Sequence, residues 1–125
     1  MIDFSNFKAE GNTPIYQQIL LYVKRGLVSG TVKDGDELPS RRALSVLLGI
    51  NPNTAQKAFS MLEAEGLIAS SHGVTSIVKA APERVEKLRE ELIAADVISA
   101  ASALKQSGLS LEQAMALMAH YWEEA

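Results

Sequence analysis

A chain of 125 residues with a formal charge of −3 and no cysteine has room for one small domain and an appendage, and it excludes disulfides and thiolate metal sites. The charge is uneven: residues 1–79 hold eight Lys and Arg against seven Asp and Glu, a balance of +1, while residues 80–125 hold four against eight, a balance of −4. The acidity lies in the tail, so a polyanion bound by the first part of the chain must be held by a few local cations rather than by a general positive field.

Met1 to Asn12 has no helical period and lacks the basic start and apolar run of a signal peptide; it is expected to run extended into the first helix. Thr13 is placed to cap that helix and Pro14 to open it, with Ile15, Ile19, Val23 and Leu27 on its inner face and Gly30 at its end. Val32 to Glu37 reads as a turn-rich link around Asp34-Gly35. Ser40 is an N-cap, and Ala43, Leu44, Leu47 and Leu48 follow at helical spacing before Gly49 stops the helix. Asn51 caps the next helix, with Pro52 at its first position, where a missing N–H costs nothing. Ala55, Ala58, Phe59 and Leu62 share one face of that helix, and Asn53, Thr54, Gln56, Lys57 and Ser60 fall largely outside it. The three helices are expected to pack around Ile19, Val23, Leu44, Leu47, Phe59 and Leu62. Leu67-Ile68 and Ile77-Val78 are β-forming pairs on either side of Ser71-His72-Gly73-Val74, with Gly73 at a hairpin tip. Helix, tight turn, helix and hairpin in this order make a helix-turn-helix with a wing.

Pro82 marks a boundary between residues 1–81 and residues 82–125. From Glu83 a long helix is expected to about Gln106, with Val85, Leu88, Leu92 and Ala95 at three-four spacing. In its second half Leu92, Ile93, Val97, Ile98, Ala101 and Leu104 point nearly all round the axis. A two-helix tail cannot bury such a helix on one small domain, so a second copy of the chain is the natural cover. Ser107-Gly108 breaks the helix, and Ser110 with Gln113 forms a capping box for a last one carrying Leu111, Ala114, Met115, Met118, Tyr121 and Trp122 on one side. The longest mostly apolar segment, Leu92 to Leu104, is too short to span a bilayer and contains Asp96, so no membrane partner is expected. The fold class expected is mainly α with a small β wing: a winged helix-turn-helix followed by a two-helix dimerisation module.

The run LPSRRALSVLLGINPNTAQKAFSMLEAEGLI, Leu38 to Ile68, resembles the DNA-binding signature of the GntR family of bacterial transcription regulators. Pro14-Ile15-Tyr16-Gln17-Gln18-Ile19 resembles the start of that family's first helix, and the short helical tail and the INPNT turn are most similar to its smallest branch, the YtrA-type regulators. The resemblance covers about the first two-thirds of the chain. It implies a cytoplasmic homodimer that binds double-stranded operator DNA, acts as a repressor, and often regulates a transporter operon. It also implies DNA contacts at Arg42, Asn51, Asn53, Thr54 and Gln56, with His72 and Gly73 on the wing. The chain departs from many relatives in having Pro52 and Gln56 where they carry arginine, and Val74 and Thr75 where they carry a basic residue and a second glycine.

The residue chemistry agrees with that implication. Asn and Gln donate and accept in one plane and so match adenine in the major groove, at about 1–3 kcal/mol per bidentate pair. Arg41 and Arg42 sit at a helix N-terminus, the end where the macrodipole disfavours cations, which points to an external anion such as a DNA phosphate. With the cap Ser40 and the cation Lys57, the candidate DNA-binding set is Ser40, Arg41, Arg42, Asn51, Asn53, Thr54, Gln56, Lys57, His72 and Gly73. The plainer alternative makes Asn51 and Thr54 cap residues and Gln56 and Lys57 a solvated face. The candidate dimerisation set is Leu92, Ile93, Val97, Ile98, Ala101, Leu104, Met115, Met118, Tyr121 and Trp122; a Met-aromatic stripe of this spacing is more often core or interface than a ligand pocket. His72 and His120 stand far apart without metal-ligand spacing, and Glu83, Glu86, Glu90 and Glu91 alternate with Arg84, Lys87 and Arg89 as a solvated helix face does. No cofactor, metal or small-molecule effector is assigned. Without a Gly-rich phosphate loop, a nucleophile–base pair or HExxH, an enzyme is not expected. The rival is a winged helix used for protein–protein contact, which salt dependence separates from a DNA binder.

Overall fold

The computed structural model describes residues 1–71 and 75–125, so His72 and Gly73, and with them the tip of the wing, lie outside the described residues. The first helix, α1, spans Ile15–Ser29 and starts one residue later than the sequence predicts. Pro14 is its N-cap residue rather than its first helical one. The Pro14 carbonyl accepts from the N–H groups of Gln17 and Gln18 at 3.0 and 3.2 Å, and no side chain caps this end, Thr13 included. The reason is the extended ψ of 139° at Pro14, which keeps that residue outside the helix while its carbonyl begins the ladder. The second helix, α2, is Arg41–Leu48, begun by the Ser40 hydroxyl accepting from Ala43 N–H at 3.0 Å. Gly49, at φ +65°, turns the chain directly into the third helix, a left-handed conformation that side chains with a Cβ resist. That helix, α3, is Pro52–Ala64, capped by the Asn51 carboxamide oxygen on Asn53 N–H at 2.8 Å.

Ile19, Val23, Leu44, Phe59 and Leu62 are buried together with Ala55 and Ala58, as the three-helix core requires. Leu47 is not: it is 62% exposed. On a helix of 100° per residue the inward stripe of α2 runs through residues 41, 44, 45 and 48, and Leu47 lies roughly 110° from its centre. Ser45 takes the inner position instead, buried, with its hydroxyl donating to the Arg42 carbonyl at 2.7 Å. The N-terminal stretch is also more than an extended lead. Ile2 and Phe4 are buried, the Tyr22 hydroxyl donates to the Asp3 carbonyl at 2.7 Å, and the Phe4 and Tyr22 rings stack at 5.3 Å.

The wing is the antiparallel pair β1, Ile68–Ser71, and β2, Thr75–Val78, in the register Ile68 with Val78. The link read as turn-rich lies against β2 as well. Gly35 N–H donates to Val78 O, Val78 N–H to Asp36 O and Leu38 N–H to Ser76 O, and Ile2 N–H reaches Glu37 O. Asp34 fixes this arrangement through its carboxylate, which accepts from Ala80 N–H at 2.7 Å.

The long helix α4 spans Pro82–Gln106, with Pro82 itself helical. The two compact units of the chain are Met1–Arg89 and Glu90–Ala125, so the structural division falls within α4, beyond the boundary read at Pro82. Leu88 is buried and the Arg89 guanidinium donates to the Val28 carbonyl at 2.6 Å, which places the opening turns of α4 in the first unit. The second unit holds the rest of α4, the fifth helix α5, Leu111–Tyr121, and a 3-10 turn at Trp122–Glu124. Ser110 and Gln113 form the expected capping box. None of residues 90–125 is buried, and Ile93, Val97, Ile98, Met115, Met118, Tyr121 and Trp122 are between 42% and 68% exposed. No helix among the described residues is long and apolar enough to cross a membrane.

Candidate nucleic-acid interface

The face of α3 opposite Ala55, Ala58, Phe59 and Leu62 carries Asn53, Gln56, Lys57 and Ser60, all exposed. This follows from the helical period alone: with the four apolar positions committed to the core, positions 53, 56, 57 and 60 must turn outward. Gln56 Nε2 donates to Ser60 Oγ at 3.2 Å along this face. Asn53 makes its backbone bond to the cap and leaves its carboxamide on the outside. Such a row offers paired donors and acceptors of the kind that reads base edges.

The remaining expected residues divide. Ser40 and Asn51 are exposed, yet their side-chain oxygens hold helix N-termini, which is the plainer of the two roles considered for a capping residue. Thr54 is half-buried and donates its N–H to the Asn51 carbonyl at 2.9 Å. Arg42 is exposed at the start of α2. Arg41 is folded back instead: its guanidinium carbon lies 5.0 Å from the centroid of the Phe59 ring, and its Nε is buried without a hydrogen-bond partner among the described residues. The two arginines share one helix start in the sequence, but the inward stripe of α2 separates them, one turned to the core and one to solvent.

Two residues outside the candidate DNA-binding set belong here: Ser60, which the helical period already sets on the outer side of α3, and Tyr16, which comes from α1. Ser60 is the hydrogen-bond partner of Gln56. Tyr16, half-buried on α1, has its ring centroid 4.2 Å from the ammonium of Lys57. Lys24 of α1 meets Glu65 just past α3 at 2.8 Å. The helical period places Ser60 on this face, whereas no local signal pairs residue 16 with residue 57. Among the described residues no group of three or more His, Asp and Glu side chains gathers as a metal site would require.

With this geometry in view, the family described as bacterial regulatory proteins, gntR family, matches residues 15–78, which spans α1 through β2. The HTH-type transcriptional repressor YtrA of Bacillus subtilis is 45% identical over 62 residues, covering 50% of this chain and 48% of the repressor, so the match spans about half the length of that relative. A GntR family transcriptional regulator from Listeria monocytogenes superposes with a TM-score of 0.79 at 28% identity, over 90% of this chain and 98% of that one. The DNA-binding domain of AraR, solved in complex with operator ORE1, superposes with a TM-score of 0.50 at 23% identity over 58% of this chain and 89% of that one, a likeness of fold.

Proposed function

The chain belongs to the GntR family of bacterial regulatory proteins, and from that membership we propose that it is a sequence-specific transcription regulator of double-stranded DNA, acting as a homodimeric repressor in the cytoplasm. In this reading the winged helix of residues 1–81 contacts the operator and residues 82–125 form the dimerisation module. The observation that carries it is the outward row of α3: Asn53, Gln56 and Lys57, presented by a helix whose other face is fully committed to the core. Asn53 and Gln56 read bases; Lys57 and Arg42 meet phosphates. A two-fold dimer of such units calls for a pseudo-palindromic site. Regulation of a transporter operon accords with the resemblance to the YtrA-type branch. A winged helix reserved for protein contacts has no comparable support, because it gives no role to the amide row.

The test is selection from randomised duplexes by the full chain, followed by titration of the selected duplex at several salt concentrations. A recovered two-fold motif and a steep fall of affinity with salt are expected. Arg42→Ala should weaken binding to every duplex and lower the salt slope by about one unit, as loss of one phosphate contact does. Binding that ignores salt and selects no motif overturns the reading.

A further inference from the structure

We propose that Tyr16 is a positioning residue for the DNA-binding face, its ring holding the Lys57 ammonium at the α1 edge of α3 while leaving the full charge available to a phosphate. The proposal rests on the reading of α3 as the recognition helix. Its observation is the 4.2 Å separation between Lys57 Nζ and the Tyr16 ring centroid. The phenol oxygen accepts from Gln17 Nε2 at 3.2 Å, which ties the outer end of the ring to α1.

The two lysines at the seam of α1 with α3 show what the ring does. Lys24 meets Glu65 at 2.8 Å, and that carboxylate neutralises it. Tyr16 precedes Lys24 by the same number of residues as Lys57 precedes Glu65, so the helices run the same way here, with the two contacts on the order of 12 Å apart along the axes. At the far end the ammonium is matched by a carboxylate, and at the end nearer the starts of both helices by an aromatic face. An aromatic quadrupole attracts a cation without cancelling its charge. A lysine stem otherwise samples many rotamers, and restricting it before binding reduces what association must order. The helical period puts Lys57 beside Asn53 and Ser60, on the edge of the amide row rather than in its middle, where a backbone contact belongs.

The experiment uses the full chain and the duplex selected by the wild type, titrated at several salt concentrations. Four variants are compared: Tyr16→Phe, Tyr16→Leu, Lys57→Met and the double variant Tyr16→Leu/Lys57→Met. Tyr16→Phe is expected to bind as the wild type does. Tyr16→Leu should weaken binding about two- to fivefold, and Lys57→Met should remove about one unit of salt slope. In the Lys57→Met background Tyr16→Leu should have no further effect. In the free chain, the Lys57 ε-methylene resonance should be shifted upfield by the ring in the wild type and Tyr16→Phe, and lose that shift in Tyr16→Leu. Equal losses from Tyr16→Leu in both backgrounds, or no ring-current shift in the wild type, overturn the proposal while leaving the DNA-binding reading intact. Duplex binding by the wild type that ignores salt overturns both.

Discussion

Asn51 and Asn53 stand two positions apart and divide the chemistry of one residue type between them. The Asn51 carboxamide oxygen is bonded to the Asn53 N–H at 2.8 Å and holds the start of α3. The Asn53 carboxamide is turned outward with Gln56, whose bond to Ser60 is exposed and easily exchanged for a bond to a base edge. Neither Asn53 nor Gln56 is charged, so neither contributes to counterion release. Substituting either by Ala should therefore relax base preference, by about 1–3 kcal/mol against the cognate site, and leave affinity for random duplex nearly unchanged. Repeating the selection at one salt concentration checks this. A variant that recovers the wild-type motif would assign these amides to solvent and move the specificity elsewhere.

At the scale of elements, α1 is held by more than its core stripe. The N-terminal segment packs Phe4 and Phe7 on Tyr22, at centroid separations of 5.3 and 5.6 Å, and the phenol donates to the Asp3 carbonyl. Burial pushes the Tyr22 phenol above its usual value of 10.0, and the negative charge of Asp3 adds to the shift. Asp3 itself is held below the usual carboxylate value by the backbone N–H of Ser5. The two linkages have opposite signs. The Tyr22 contribution is complete below the ordinary phenol pKa and disappears as pH rises through the raised one. The Asp3 contribution is present above the ordinary carboxylate pKa and disappears as pH falls through the lowered one. A tyrosinate absorbance titration of the native chain should accordingly show a late component that is absent from Tyr22→Phe. The same variant should lose less stability between pH 9 and 11 in denaturant melts, a range of about one unit either side of the free phenol. A titration unchanged by the substitution would detach the shift from this cluster.

The molecule as a whole has a second unit with no interior of its own. Every residue from Glu90 to Ala125 is exposed or half-buried, with Leu92 and Leu104 only half-covered, Ala101 open, and Trp122 66% exposed. Apolar surface of that extent on two helices is what a symmetric partner covers. The full chain is expected to sediment as a dimer at micromolar concentration. A chain ending at Arg89 should sediment as a folded monomer, since it keeps Leu88 in its core and the Arg89 bond to Val28. A monomer with the tail intact, or a dimer that survives the truncation, would refute this. Truncation at Ala81 is the poorer test, because it also removes Leu88 and exposes what that side chain covers.

What the sequence determined by itself is whatever is decided within a turn or two of helix. Ser40, Asn51 and Ser110 cap where they were read, because a cap bonds to an N–H two or three residues on and needs nothing from the rest of the fold. The inner face of α3 is equally local, since four apolar residues at helical spacing leave one solution. On α2 the eight residues admit two apolar stripes, and the packing partner chooses the one that buries Ser45 and exposes Leu47. Only the tertiary structure could bring Glu37 to the edge of β2 and Ile2 to Glu37, lay Arg41 over Phe59, or set Tyr16 beside Lys57. It also carried the first unit into α4, because whether Leu88 belongs to the core or to the tail depends on what stands opposite it. Contacts between residues far apart in the chain are settled by which surfaces meet, and helical periodicity shows which side of a helix is apolar without showing what it will face.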